Sequence, residues 1–100
     1  MAVMEVSVIP IGIGSSVSSY VADCIRVLKK ERVSYELTAM GTNVEGDLKD
    51  LVRVALKMHQ VPFSRGAQRV VTTIKIDDRR DKKISIAGKK KAVQNKLVRR

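Results

Sequence analysis

An antiparallel α+β fold is predicted by three observations on this 100-residue chain: alternating apolar and polar residues at both ends of the first 78 positions, two helical stripes between them, and a glycine that breaks the middle into two strands. The resulting order is β-α-β-β-α-β, the split pattern in which one sheet carries both helices on a single face.

Each element follows from its residues. Val3 to Ile11 alternates, with Met4, Val6 and Val8 on one side and Glu5, Ser7 and Ile9 on the other. Pro10 and the glycines of "PIGIGSS" end that strand, and Ser15 or Ser16 is expected to cap the next helix with its hydroxyl. Val17, Tyr20, Val21, Cys24, Ile25 and Leu28 then recur at helical spacing, one apolar stripe backed by Ser, Asp, Arg and Lys. Tyr35, Leu37 and Ala39 alternate with Glu36, Thr38 and Met40 as a second strand; Gly41 permits a tight reversal into a short third strand around Val44, closed by Gly46 and Asp47. Asp47 is also the expected cap of a second helix, in which Leu48, Leu51, Val52 and Ala55 form the buried stripe and which ends before Pro62. "PFSRGA" reads as a loop. "RVVTTIKID" is the fourth strand, with Val70, Thr72, Ile74 and Ile76 inward and Val71, Thr73, Lys75 and Asp77 outward.

This is the ferredoxin-like arrangement, predicted as one domain over residues 1–100 with its core in 2–78. A basic C-terminal helix is expected over 84–98. Its stripe of Ile86, Val93 and Leu97 is thin, Lys90 shares that face, and Gly88 costs about 1 kcal/mol against alanine, so the helix depends on packing against the domain or a partner subunit.

With both helices on one face, the other lacks a cover from its own chain. Glu5, Ser7, Glu36, Thr38, Met40, Thr73 and Lys75 are expected there. The stretch "YELTAMGTNVEGD" is the notable part: Glu36, Thr38, Thr42 and Glu45 make a polar row that a packed core cannot hold without hydrogen-bond partners. Such a row stays wet, meets a neighbouring subunit, or lines a ligand pocket.

Composition narrows the partners. The formal charge is +10, but residues 79–100 hold ten Lys or Arg and one Asp, so +9 of it lies in the tail and +1 in the rest. Aromatic residues are 3% of the chain and none is interleaved with basic ones, which argues against specific nucleic-acid recognition. No run approaches the apolar length of a membrane helix, the N-terminus lacks the pattern of a secretory leader, and the single Cys24 has no internal disulfide partner; the expectation is a soluble, cytoplasmic protein.

No residue pattern marks an enzyme. His59 is the only histidine and has no Cys, Asp or Glu at ligand spacing; Cys24 sits on the apolar stripe of the first helix as a core residue. "GIGSS" opens a helix but lacks the glycine spacing of a dinucleotide site and the Gly-Lys of a P-loop. "DDRRDK" mixes three acids with three bases, an ion-paired turn rather than a cation site. The prediction is no catalytic residue, no metal and no cofactor.

Three blocks, "VIPIGIGSSVSSYVA", "YELTAMGTNVEG" and "RVVTTIKIDDRRDK", resemble the signature blocks of the small thiamine-binding protein family, over about residues 3 to 84. The resemblance implies a ferredoxin-like fold, dimers that pair into homotetramers, and non-enzymatic binding of thiamine or its hydroxymethylpyrimidine portion in the cytoplasm. An aminopyrimidine needs a carboxylate or carbonyl on one edge and a hydroxyl or N–H on another, and thiamine is a cation. On that chemistry Thr38, Thr42 and Glu45 are the leading ligand-binding residues, Met40 and Gly41 lie between them, and Ser16 and Ser18 carry over from the first block. The basic tail departs from the family pattern and leaves an anionic ligand near "GIGSS" or the tail as another reading. A structural or regulatory oligomer that binds another protein, and nucleic-acid association through the tail, are the alternatives from other classes.

Overall fold

The computed structural model describes residues 1–98. Strand β1 (Ala2–Pro10) leads into α1 (Ser18–Glu31); β2 (Ser34–Leu37) and β3 (Thr42–Gly46) form a hairpin; α2 (Leu48–Ser64) precedes β4 (Val70–Asp78); and α3 (Ile86–Val98) follows. The four strands lie in the order β2-β3-β1-β4, and every pair is antiparallel. This is the predicted ferredoxin-like α+β topology.

The alternation read in β1 is the one observed. Met4, Val6 and Val8 are buried beneath the helices with Val44 of β3, Cys24 and Leu28 of α1, and Leu51, Val54, Ala55 and Met58 of α2. Leu28, Leu51 and Val54 are fully buried. Burying a side chain of that kind contributes about 1.5–3 kcal/mol, which gives the sheet and helix pair their common core.

Five expectations change. Neither Ser15 nor Ser16 caps α1: Val17 holds the capping position and no side-chain bond is made there, because the glycine turn carries both serines into solvent. The stripe of α2 is rotated from the predicted one, onto Leu51, Val54, Ala55, Met58 and Pro62, with Leu48 and Val52 partly exposed, 37% and 43%. Asp47 does hold the capping position, although its side chain makes no capping bond.

Helix α2 also runs through Pro62 instead of stopping before it, so "PFSRGA" is helix as far as Ser64. Proline has no N–H to give to the carbonyl four residues back, which is that of Met58. The Cys24 thiol, from the facing helix, donates to the Met58 carbonyl at 3.6 Å and supplies a substitute. Burial pushes that thiol up to about 11, so it stays protonated and able to donate.

Ile74 and Ile76 do share the helix side of the sheet, opposite Val6 and Met4, yet remain 46% and 38% exposed because β4 is an edge that the two helices do not reach across. The opposite face is not bare along its whole length. Helix α3 lies over one end of it, with Lys90 Nζ on Glu36 at 2.7 Å and Lys89 paired to Asp77, while Val93 and Leu97 project away at 61% and 73% exposure. Between β4 and α3 the "DDRRDK" turn is ion-paired, Arg80 to Asp78 at 2.8 Å and Arg79 to Asp81 at 2.7 Å.

Candidate functional site

The two ladders of β1 have different lengths. Against β4 its pairing runs from Ala2↔Asp78 to Pro10↔Val70; against β3 it stops at Val6↔Thr42. Beyond Val6 one flank of β1 is therefore unpaired, and the β2–β3 turn arches beside it. Thr38 closes that turn with two bonds to the Gly41 carbonyl, from its N–H at 2.9 Å and its hydroxyl at 2.7 Å. Gly41 is favoured by close approach rather than by an unusual φ: a Cβ there would lie 3.3 Å from the Val6 carbonyl oxygen, a tight contact.

The notch left by this mismatch is a pocket of about 130 Å³. Thr38, Met40, Gly41 and Thr42 line it from the hairpin, and Val8 and Ile9 from β1. Its inner wall is Val17, Val21 and Cys24 of α1 with Met58 of α2. Thr42 is 4% exposed, the one buried polar side chain among the described residues, and Met40 stands at the rim, 87% exposed. No charged residue lines the pocket.

The expected site residues divide between this notch and the rest of the molecule. Thr38, Met40, Gly41 and Thr42 converge on it. Glu45 does not: it sits opposite Val3 and Ser34 on the other face, where the Ser34 hydroxyl donates to it at 3.3 Å. Ser16 and Ser18 are exposed at the start of α1, their hydroxyls 3.5 Å apart and outside the lining. The polar row is thus not one row. Glu36 and Glu45 face one way, Thr42 faces the helices beside Val6, and Thr38 and Met40 belong to the turn, not to the open face.

The open face makes a second, charged site. Beneath α3 lies a shallow space of about 530 Å³ bordered by Glu5, Asn43, Lys75, Lys89 and Lys90. Glu36 is held by Lys90 and by Asn43 Nδ2 at 3.2 Å, and these two contacts, Lys90 first, hold its carboxyl below the ordinary glutamate range. Lys75 lies 3.7 Å from Glu5. Among the described residues no group of His, Cys, Asp and Glu could hold a metal ion, and no helix is long and apolar enough to cross a membrane. His59 bonds Thr72 at 2.7 Å and packs edge-on against Phe63, a structural role.

Fold and notch define a small α+β protein with an uncharged pocket of about 130 Å³ at the hairpin end of its sheet. The chain belongs to the thiamine-binding protein family, which matches residues 4–94. A Staphylococcus xylosus protein is 47% identical, the match covering 97% of this chain and 95% of the relative, and a Bacillus subtilis protein is 44% identical over 97% and 98%. Both carry the label UPF0045, which states no function. Among solved structures, a hypothetical protein of Methanocaldococcus jannaschii superimposes with a TM-score of 0.86 at 43% identity, covering 93% of this chain and 95% of that one. A Thermotoga maritima protein provisionally assigned to thiamine biosynthesis or salvage gives 0.76 at 18% identity, covering 92% and 97%, which speaks for the fold alone.

The pocket wall formed by Val8 of β1, Val17 at the cap of α1, Val21 of α1 and Met58 of α2 was outside the sequence-based expectation. The signal that points to it is the difference in strand length: nine residues in β1 against five in β3.

Proposed function

We propose that the protein binds thiamine, or the hydroxymethylpyrimidine portion of it, without chemical turnover, and that the hairpin notch takes the pyrimidine. The observation that carries this reading is the convergence of Thr38, Met40, Gly41 and Thr42 on one pocket in a chain of the thiamine-binding family. Their hydroxyls, an apolar wall and a thioether at the rim suit a flat, polar-edged ring. No nucleophile and base face each other there, because Cys24 is protonated and bonded to a carbonyl. The uncharged lining also fits a neutral pyrimidine, leaving the cationic half of thiamine to the mouth of the pocket.

Self-association belongs to the same proposal. The β4 edge exposes Val71, Ile74 and Ile76, 47%, 46% and 38%, and a second copy pairing there, with the open faces meeting in turn, builds a dimer of dimers. Light scattering on the purified chain reads the assembly directly. Calorimetric titration with thiamine and with hydroxymethylpyrimidine tests the ligand: saturable binding that Thr42→Val weakens is expected, and no heat with either at millimolar concentration removes the reading.

A further inference from the structure

The notch owes its polar character to the backbone of β1 more than to any side chain, and this deepens the ligand reading above, on which it rests. In an antiparallel ladder, successive residues turn their N–H and C=O toward opposite neighbours. The bond from Ile11 N–H to the Arg69 carbonyl, 2.8 Å, continues the β1–β4 register, so Ile11 and with it Ile9 and Ser7 point to β4. Val8 and Val6 therefore point to β3. The hairpin gives the same phase independently: the Thr38–Gly41 bond turns Gly41 and Asn43 toward β2, leaving Thr42 toward β1, where it meets Val6.

The next residue of β1 that faces this way is Val8. Its counterpart by register would be Met40, which has left the sheet for the turn. Among the described residues no group bonds the Val8 N–H or C=O on this flank, although Val8 is only 6% exposed and lines the pocket. Peptide groups on a strand edge take a partner from the chain, from water or from a ligand, so a donor and an acceptor side by side in this notch mark a place where a ligand can replace water. Pro10, the following residue of that phase, has no N–H, so the paired groups occur once.

A strand edge of this kind presents one donor and one acceptor in a plane. The complementary edge is a ring nitrogen beside an exocyclic amine: the nitrogen accepts from N–H, and the amine donates to C=O. Size selects the same group. A cavity near 150 Å³ holds benzene, and this one is about 130 Å³, room for one six-membered ring and no more. We propose that Val8 N–H and C=O grip the aminopyrimidine edge of the ligand as a surrogate strand, with the Thr42 hydroxyl on the ring's flank and the remainder of a larger ligand emerging past Met40. Recognition is then of the aminopyrimidine edge itself. A ring with methoxy in place of amine has no donor on that edge and sets an acceptor against the Val8 carbonyl oxygen in either orientation, so it is rejected.

The test uses the full chain, labelled with nitrogen-15 and titrated with thiamine, with plain aminopyrimidine and with its methoxy counterpart. Expected are a downfield shift and slowed exchange of the Val8 amide with the first two, and binding about 10- to 100-fold weaker for the methoxy ring. Saturation by thiamine with Val8 unmoved overturns the grip and leaves the ligand standing. A methoxy ring that binds as well as the amine also overturns it. A Val8 response to aminopyrimidine with none to thiamine sustains the grip and removes thiamine as ligand. Silence toward all three overturns both.

Discussion

The two ends of the sheet are polar for opposite reasons. At the α3 end, the polarity is carried by charged side chains, Glu5, Glu36, Lys75, Lys89 and Lys90, that neutralise one another at the surface. At the hairpin end it is carried by a peptide group and two threonines in an otherwise apolar notch, with no charge. The first arrangement is wide and wet, where ion pairs are weak and exchange readily with solvent. The second is narrow and walled mostly by apolar side chains, where a hydrogen bond left unmet once a ligand displaces water has a cost and therefore selects a partner. A conspicuous row of carboxylates is thus a poorer guide to a binding site than a ladder that stops early.

The sharpest break of this contrast comes from its inner wall. Met58 is 2% exposed and shared by the core and the notch. Met58→Ala is expected to lower stability by about 2–5 kcal/mol in urea unfolding and to widen the pocket, whereas Lys75→Ala at the charged end leaves the unfolding midpoint nearly unchanged. Equal losses at both ends would erase the distinction.

A smaller effect probes how the wall is held. Cys24→Ala leaves the Met58 carbonyl without the donor that replaces the N–H missing at Pro62, and a loss of about 1–3 kcal/mol is expected. Cys24→Ser restores a donor and should recover part of that loss. If serine and alanine are equally destabilised, the thiol serves only to fill space.

How legible these features were depends on what kind of group makes them. The β1 alternation, the α1 stripe and the β-α-β-β-α-β order follow from side-chain periodicity, and the structure has all three. The α2 stripe was misplaced because Leu48 and Val52 are apolar but lie toward solvent, while Met58 and Pro62 extend the true stripe past a residue read as a stop. Glu45 attracted the site because charge is visible in a sequence. Side-chain parity could have placed it opposite Thr42, three positions away on the same short strand, once β3 was known to begin at Thr42. Val8 could not be singled out from residues alone, since its role comes from a backbone group exposed by the register of two other strands.

That parity yields the next prediction. Thr42→Val keeps the shape of the notch and removes its hydroxyl, so thiamine or hydroxymethylpyrimidine should bind about two- to tenfold more weakly in calorimetry, the worth of one hydrogen bond. Glu45→Gln, on the far face, should bind as the parent does. A strong loss in Glu45→Gln with none in Thr42→Val would move the ligand to the open face beneath α3.

The smallest expected effect concerns α3 itself, whose attachment to the sheet rests on Lys90–Glu36 and Lys89–Asp77. Lys90 lowers the pKa of Glu36 in the folded protein, so the stabilisation it brings is complete above the ordinary glutamate pKa and is lost as pH falls through the lower folded value. Protection of the α3 amides, measured against their intrinsic exchange rate at each pH, should accordingly fall at pH below the carboxylate range, while that of the β1 core is kept. Lys90→Gln should produce part of the same fraying at neutral pH and remove the share of the acid dependence that Glu36 carries. The notch should not notice either change, because no residue that lines it is a partner in these ion pairs. An α3 equally protected at both pH values would mean that Ile86 packing, and not the charged contacts, holds the helix against the open face.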